Sequence, residues 1–553
     1  MSQSDTDVFI SPGTAPTRRT LRDALDASVE ARGKRAALAY FDRTFTFAQV
    51  RAYAQAFGAW LQDRQIDKGD RVIVQLQNVP QFLFVAAGCW EIGAVVVPVS
   101  PMYRATEVSR IAKDSGAKVW VTAPRTWQQQ GPASIKDTEL QQVVITEMTD
   151  FAAPDTTLPE NREAADGPLP SDLPATALTH ILDDYADKTP VRPDLQPTDT
   201  ALFAYTSGTT GPPKAAMTTH ANLCFVGQTY AADNDLDNEE EVIFAMAPLV
   251  HITGLAMHFA SWLMTSCMLV VAHRFHPKFT LQQMKQHGVT WTTGTATAYQ
   301  AMMQVEQQDP YNITTLDFAG AGGSSVPDAV TQQFYELFNV QLQPGYGLTE
   351  TTGAVTSTMG RQTPRVDETT GVVSVGPALS GVEIMIVDDH DQPLPPHEQG
   401  EVLIKGPGVV AGYWQRSDED TFRPDGWART GDVGFLDEDG WLYIVDRTKN
   451  LIVASGYKVW PREVEDVLYR HPAIHEAAVV GVPDEYRGET VVAYVALNDG
   501  ATVTEEELTA YCRGEIAAYK VPSRIKFKSE LPKNFNGKIQ VRELKAETSA
   551  EAQ

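Results

Sequence analysis

The chain is poor in cysteine and in positive charge, and each shortage removes a class of protein. Four cysteines, Cys89, Cys224, Cys267 and Cys512, are scattered through 553 residues with no Cys-x-x-Cys pair and no histidine at metal spacing. That pattern argues against a disulfide framework and against a structural zinc. Lysine and arginine number 45 against 71 aspartates and glutamates, a formal charge of −26. Nucleic acid and anionic membranes select basic surfaces, so neither is expected as a main partner. No long hydrophobic run is present either: residues 259–271 are interrupted by Ser261, Thr265 and Ser266 and are too short for a membrane helix. Integral membrane association is therefore not expected. The opening Met1-Ser2-Gln3-Ser4-Asp5 lacks a basic region and apolar core, and the closing Ser549-Ala550-Glu551-Ala552-Gln553 is no peroxisomal or lipidation signal. The compartment expected is the cytoplasm. No internal repeat is found.

What is present is size and apolar content. At 553 residues, 43% of them hydrophobic, the chain exceeds what one hydrophobic core supports. Apolar residues recur at helical spacing over 21–62, with a break near 41–47. Arg71-Val72-Ile73-Val74-Gln75-Leu76 then reads as a buried strand, as does Gly93-Ala94-Val95-Val96-Val97-Pro98-Val99 after another helical stretch. Strands alternating with helices indicate an α/β fold with parallel, doubly wound sheets. Residues 151–197, rich in Pro, Asp and Thr, read as a peripheral excursion. After Gly371 the texture turns to short β segments, until Asp446-Arg447-Thr448-Lys449-Asn450 forms a charged break before a further α+β stretch. The expected division is a large multi-subdomain amino-terminal domain, 1–446, with a β-rich part, and a small α+β carboxyl-terminal domain, 447–553.

Four short segments carry chemistry. In the run from Tyr205 to Lys214, glycines Gly208 and Gly211 expose backbone N–H groups, Thr206, Ser207, Thr209 and Thr210 add hydroxyl donors, and Lys214 adds charge. Together they suit a phosphate chain. Pro212 and Pro213 separate Gly211 from Lys214, so this is not a P-loop, and the loop is expected to be extended. Gly345-Tyr346-Gly347-Leu348-Thr349-Glu350 offers a tight turn, an aromatic face, a hydroxyl and a carboxylate suited to Mg²⁺. The glycines around Gly322, Gly323 and Ser324 let backbone approach a flat ligand such as a purine. Asp432, in Thr430-Gly431-Asp432, can accept both hydroxyls of a ribose. Each segment alone also reads as an ordinary turn or surface loop. Residues 406–411 match a dinucleotide fingerprint by letters only, with a proline inside and no helix pattern after it.

In order, these segments and the late Gly537-Lys538 resemble the motif set of the adenylate-forming superfamily: acyl-CoA synthetases, firefly luciferase and nonribosomal peptide synthetase adenylation domains. The resemblance covers about residues 20–545. It implies that the 206–214 loop holds the β- and γ-phosphates of ATP, that Gly322, Gly323, Ser324, Tyr346 and Gly347 border the adenine, and that Thr349 bonds a phosphate. It further implies that Glu350 binds Mg²⁺ and that Asp432 and Arg447 hold the nucleotide. Lys449 matches the hinge of the small domain. Lys538 matches the lysine bridging the substrate carboxylate and the α-phosphate, although Asn536 replaces the usual hydroxyl residue before that glycine. Ser455, Gly456 and Tyr457 resemble the segment that lines the CoA tunnel. His251 corresponds to the side chain beside the reacting carboxylate. Ile252, Thr253, Leu255, Thr295, Ala321 and Leu348 make an acyl pocket without evident charge. The activity implied is an AMP-forming acid:CoA ligase using ATP, Mg²⁺ and CoA, its acid a medium- or long-chain fatty acid. The alternatives are an aryl or cinnamoyl-type CoA ligase and an adenylate-dependent amide synthetase. A non-enzymatic scaffold is disfavoured by the intact motif set, and a homodimer is the assembly the family suggests.

Overall fold

The computed structural model describes residues 18–154, 156, 164–206, 213–236, 240–324, 326–358, 362–368, 371–417, 420–447, 450–454, 457–484, 488–534 and 537–551. Two large sheets dominate it. The first runs, in spatial order, Ala175–Ala177, Gln142–Ile145, Val119–Thr122, Arg71–Gln75, Val95–Pro98, Thr200–Tyr205 and Ala215–Thr219. All its neighbours are parallel except the last pair, an antiparallel hairpin. The second runs Gly353–Ser357, Leu342–Leu348, Phe318–Ala321, Trp291–Gly294, Val242–Phe244, Met268–Val271, Ala36–Tyr40 and Arg43–Thr46, antiparallel only at its two edges.

The sequence explains this architecture locally. Val72-Ile73-Val74 and Val95-Val96-Val97 are β-branched runs without polar alternation, and all six are buried, as parallel strands covered on both faces require. The helix Pro80–Glu91 between them opens on proline, whose missing N–H has no partner to lose there, and every residue of it is buried. It is sandwiched, so it shows no polar face. One apolar core joins both sheets, from Val72 and Val74 through Phe82 and Phe84 to Ile243 and Leu269.

The helical reading of 21–62 was too long. The chain forms helices Leu21–Arg32 and Phe47–Asp63, with the strand pair Ala36–Tyr40 and Arg43–Thr46 between them. A short, fully apolar strand cannot be told from a helical segment by periodicity. Within 151–197, the described residues add the edge strand Ala175–Ala177 and the helix Leu178–Asp184 before crossing the large domain. Gln62 bonds the Val191 carbonyl and amide at 2.7 and 2.9 Å. Arg192 bridges Asp26 at 2.7 Å and the buried Glu91 at 2.6 Å.

After Gly371 come four antiparallel strands, Glu383–Val387, Gly400–Lys405, Ala428–Leu436 and Leu442–Arg447. A mixed five-stranded sheet with helices Pro461–Tyr469, Glu505–Glu515 and Val541–Glu551 follows, around a core that includes Val464, Leu468, Val479, Ala493 and Leu508. Among the described residues no helix is long and apolar enough to cross a membrane. All four cysteines are buried free thiols.

Candidate active site

The strands Trp291–Gly294, Phe318–Ala321 and Leu342–Leu348 are neighbours and parallel, so their carboxyl ends lie side by side. Open parallel sheets bind ligands at such ends. Here the backbone is packed too closely for side chains. The Gly322 amide donates to the Gly294 carbonyl at 3.0 Å, and a Cβ on Gly322 would stand 3.3 Å from the Gly345 oxygen. A Cβ on Gly347 would stand only 1.9 Å from the Gly353 oxygen, so no other residue fits there. Gly323 has φ +78°, a left-handed conformation glycine adopts without strain. The glycines of the two motifs thus form one surface. Ser324 is half-buried beside it.

A charged cluster closes one side of this surface. Tyr346 donates its hydroxyl to Asp432 Oδ2 at 2.5 Å, and Arg447 Nε donates to Asp432 Oδ1 at 3.0 Å. Asp432 is 3% exposed. It is held from both sides because Ala428–Leu436 and Leu442–Arg447 are paired strands that place residues 432 and 447 opposite each other. Burial and the Asp432 charge push the Tyr346 phenol well above its ordinary range, so it stays protonated and can only donate to the carboxylate.

Lys538 reaches this cluster from the small domain. Surrounding protein lowers its ammonium pKa, as does Arg447, while Asp432, Asp446 and Glu465 act in the opposite direction. Yet the residue keeps substantial accessible surface. His251 lies within reach of the Lys538 charge: burial, then that charge, lower its imidazole to about 4, so it is neutral at pH 7. Its Nδ1 is 3.1 Å from Thr253 Oγ1 and 3.3 Å from the Thr253 amide, which fixes Nδ1 as the acceptor for that amide.

The phosphate-loop strands form a hairpin: the Thr206 amide donates to the Lys214 carbonyl at 2.9 Å, and the Lys214 amide to Thr206 Oγ1 at 3.3 Å. Ser207, Gly208, Thr209 and Thr210 lie outside the described residues, as does the expected extended path of the loop. Tyr413 joins this hairpin to the 345–350 motif. Its hydroxyl donates to Glu350 Oε1 at 2.5 Å, while Lys214 Nζ sits 4.7 Å above its ring. The Met217 amide donates to the Gly412 carbonyl and the Trp414 amide to the Ala215 carbonyl, so 412–414 extends the sheet edge. Residues 406–411 form no nucleotide fingerprint; they cradle the Glu350 turn, with the Val410 amide donating to the Glu350 carbonyl at 3.0 Å and Thr352 Oγ1 to the Gly408 carbonyl at 2.7 Å.

On the proposed acyl side, Ile252, Leu255 and Ala321 are buried in the main core, and Thr253, Thr295 and Leu348 are half-buried. Leu255 lies in a π-helical stretch, Gly254–Ala260, whose first residue admits no side chain: a Cβ on Gly254 would stand 2.2 Å from the Pro248 oxygen. Thr349 heads the short turn Thr349–Thr351 that presents Glu350. Tyr457 stands apart from these groups. It is 57% exposed and stacks on Tyr519 at 4.6 Å. Lys449, Ser455 and Gly456 lie outside the described residues. Sequence reading missed Tyr413, Asp446 and Thr297. Only Tyr413 carried a signal, as an aromatic after glycine in a passage without helical pattern.

Comparison with known proteins gives the family. Residues 25–414 match the family model of AMP-binding enzymes, and residues 463–538 that of the AMP-binding enzyme C-terminal domain. A long-chain-fatty-acid–CoA ligase of Bacillus subtilis (strain 168) is 32% identical over 538 residues, 95% of this chain and 94% of that protein. A feruloyl-CoA synthase of Amycolatopsis sp is 31% identical over 496 residues, 89% of this chain and 92% of that protein. The o-succinylbenzoate coenzyme A synthetase of Bacillus subtilis in complex with ATP and magnesium ion superposes with TM-score 0.75 at 26% identity, covering 93% of this chain and 98% of that one. The chain belongs to the AMP-binding, adenylate-forming enzyme family.

Proposed function

We propose that this protein is an AMP-forming acid:CoA ligase acting on a medium- or long-chain fatty acid. The observation that carries the reading is the pairing of Asp432 with Tyr346 and Arg447 beside the Gly322–Gly347 surface, with Lys538 near enough for its charge to act with Arg447, Asp432 and a neutral His251. In the first half-reaction a carboxylate oxygen of the acid attacks the α-phosphorus of ATP, the bond to the bridging oxygen breaks, and pyrophosphate leaves with that electron pair. Two anions must approach, and Lys538 stands where a cation offsets their repulsion. Asp432 takes the ribose hydroxyls and is held in place by Tyr346 and Arg447. A neutral His251 adds no charge that would compete with Lys538 for the carboxylate.

Mg²⁺ is tested by the donor set around Glu350. Tyr413 occupies Oε1, which leaves the other carboxylate oxygen available, and among the described residues no cluster of three His, Cys, Asp or Glu could hold a metal alone. A hard cation bound by one carboxylate and substrate phosphates fits this arrangement. When bound it would neutralise phosphate charge. In the second half-reaction the sulfur of CoA attacks the acyl carbon, its proton passes to solvent and AMP departs. We assign Lys449 to the hinge, with the two domains meeting at 446–447, and Ser455, Gly456 and Tyr457 to the thiol's approach; the exposed position of Tyr457 suits a segment used in a second arrangement of the small domain.

The fatty acid is supported by the apolar, uncharged lining Ile252, Leu255, Ala321 and Leu348 and by the ligase relatives. The feruloyl-CoA synthase relative favours an aryl acid as the second reading. The cytoplasm is the compartment we assign, since four buried free thiols suit a reducing environment. The test is mass-spectrometric product analysis with ATP, Mg²⁺ and straight-chain, branched and aromatic acids, with and without CoA. Fatty acyl-CoA and AMP are expected; aryl-CoA alone overturns the acid, and adenylate without thioester overturns CoA as acceptor.

A further inference from the structure

Lys538 is delivered by a turn that the small domain builds for itself. The Lys538 amide donates to Asn534 Oδ1 at 3.0 Å, the Asn534 amide to the Lys538 carbonyl at 2.8 Å, and the Gly537 amide to the Asn534 carbonyl at 2.9 Å. Leu531 and Lys533 tie the same strand to the buried Glu476 at 3.0 and 2.5 Å. None of these bonds decides where the turn sits relative to the nucleotide. That placement is made by the large domain.

The helix Ala296–Gln308 faces the turn. Thr297 Oγ1 donates to the Gly537 carbonyl at 3.1 Å, Gln300 Nε2 to the His475 carbonyl at 3.4 Å, and Gln304 Nε2 to Asp499 Oδ2 at 3.0 Å. Spacings of three and four put these residues on one face of a helix. Thr295, the N-cap, accepts the Ala298 amide at 3.3 Å and lies 2.9 Å from Thr297 Oγ1. Since the Thr297 proton goes to Gly537, Thr295 is the donor in that pair. The contact leaves Gly537 no freedom of identity: its φ is +78°, and a Cβ there would stand 2.7 Å from Thr297 Oγ1.

We propose that Thr297 is a positioning residue that seats the Lys538 turn for adenylate formation, with Gln300 and Gln304 extending the same polar contact. The role rests on the ligase reading for what Lys538 does. The bonds from Thr297 and Gln300 are neutral, with a net value of about 1 kcal/mol each, and the exposed one from Gln304 reaches a carboxylate, so the set holds a domain in place without trapping it. Such a contact suits a small domain that must leave after the first half-reaction.

The test uses the full-length Thr297→Val and Thr297→Ser variants and measures each half-reaction separately. Thr297→Val keeps the shape and removes the hydroxyl. ATP–pyrophosphate exchange is expected to fall about tenfold with KM for ATP little changed, while transfer from supplied acyl adenylate to CoA keeps its rate. Thr297→Ser restores exchange, and Gln304→Ala lowers it about twofold to threefold. Unchanged exchange in Thr297→Val, equal slowing of both half-reactions, or failure of serine to rescue overturns the proposal. Deuterium uptake by the 531–541 segment in ligand-free protein gives a readout independent of activity. It rises in Thr297→Val if the contact seats the turn and stays at the wild-type rate if it does not. Should no acid support exchange in the wild type, the ligase reading fails, and deuterium uptake still decides the contact.

Discussion

Replacing Lys538 with alanine removes a cation whose charge acts on Asp432 and Arg447, and its cost can be worked from the neighbours. Arg447 is committed to Asp432 at 3.0 Å, so those two charges largely cancel and Arg447 is not free to substitute. On the proposed reading, Lys538 is therefore the cation that meets the incoming carboxylate and the α-phosphate. Two unit charges about 4 Å apart interact by about 4 kcal/mol at an effective dielectric of about 20. Loss of one preorganised transition-state contact costs about 2.7–4 kcal/mol in comparable sites. Both routes give a fall of about 10²–10³ in adenylate formation. The assay is ATP–pyrophosphate exchange, run beside single-turnover transfer of a supplied acyl adenylate to CoA. Exchange should collapse and transfer should persist. Equal loss of both rates would falsify the assignment, since it would mean that Lys538 serves the fold or both steps alike.

The charge environment makes a companion prediction about pH. Burial and Arg447 lower the Lys538 pKa, so its ammonium, and with it adenylation, is lost as pH rises through a value below the ordinary lysine pKa of 10.5. Asp432 is among the groups that hold that pKa up; Asp432→Asn should weaken ATP binding and also move the alkaline limb to lower pH, and a limb that stays put would detach Lys538 from Asp432. Tyr413→Phe removes the hydroxyl on Glu350 and should raise the Mg²⁺ concentration for half-maximal exchange about fivefold, read by metal titration. Arg192→Ala strips the main partner from Glu91, whose side chain is 1% exposed, and with Arg192 itself partly exposed the expected loss is about 2–4 kcal/mol. Burial already raises the Glu91 pKa, so the defect should deepen as pH rises through that pKa and ease below it; a thermal scan showing the same loss at every pH refutes this account.

Much of the site was readable because its residues sit in turns at strand ends, where local chemistry leaves a local mark. Glycines under close backbone, such as Gly347, which admits no Cβ against the Gly353 oxygen, and Gly322, where one would be tight against the Gly345 oxygen, show up as glycine clusters whatever surrounds them. Buried parallel strands announce themselves as β-branched runs for the same reason. What stayed hidden depends on pairing across the chain. Tyr413 meets Glu350 across 63 residues, Tyr346 meets Asp432 across 86, and Thr297 meets Gly537 across 240. A tyrosine or threonine has many structural uses, and nothing within a window of neighbours separates them.

The strand pair at 36–46 was missed for a different reason. Its short apolar run fits either period, and tertiary pairing with Met268–Val271 settles the choice. The same distinction bears on Asp446, which accepts the Arg447 amide at 2.6 Å, Asn450 at 2.9 Å and, from the following helix, the Arg462 amide at 3.3 Å. In the sequence it is one charge in a charged break. In the fold its carboxylate joins the end of the large domain's last strand to the start of the small domain's first helix, one residue from the arginine that holds Asp432. Local composition identified the charged break, but only the folded chain shows that Asp446, which reaches the helix Pro461–Tyr469, and Arg447, which holds Asp432, are consecutive residues. On the proposed reading, a nucleotide that alters the Asp432–Arg447 pair acts on the residue next to Asp446, and so on the contact that Asp446 makes with the helix Pro461–Tyr469.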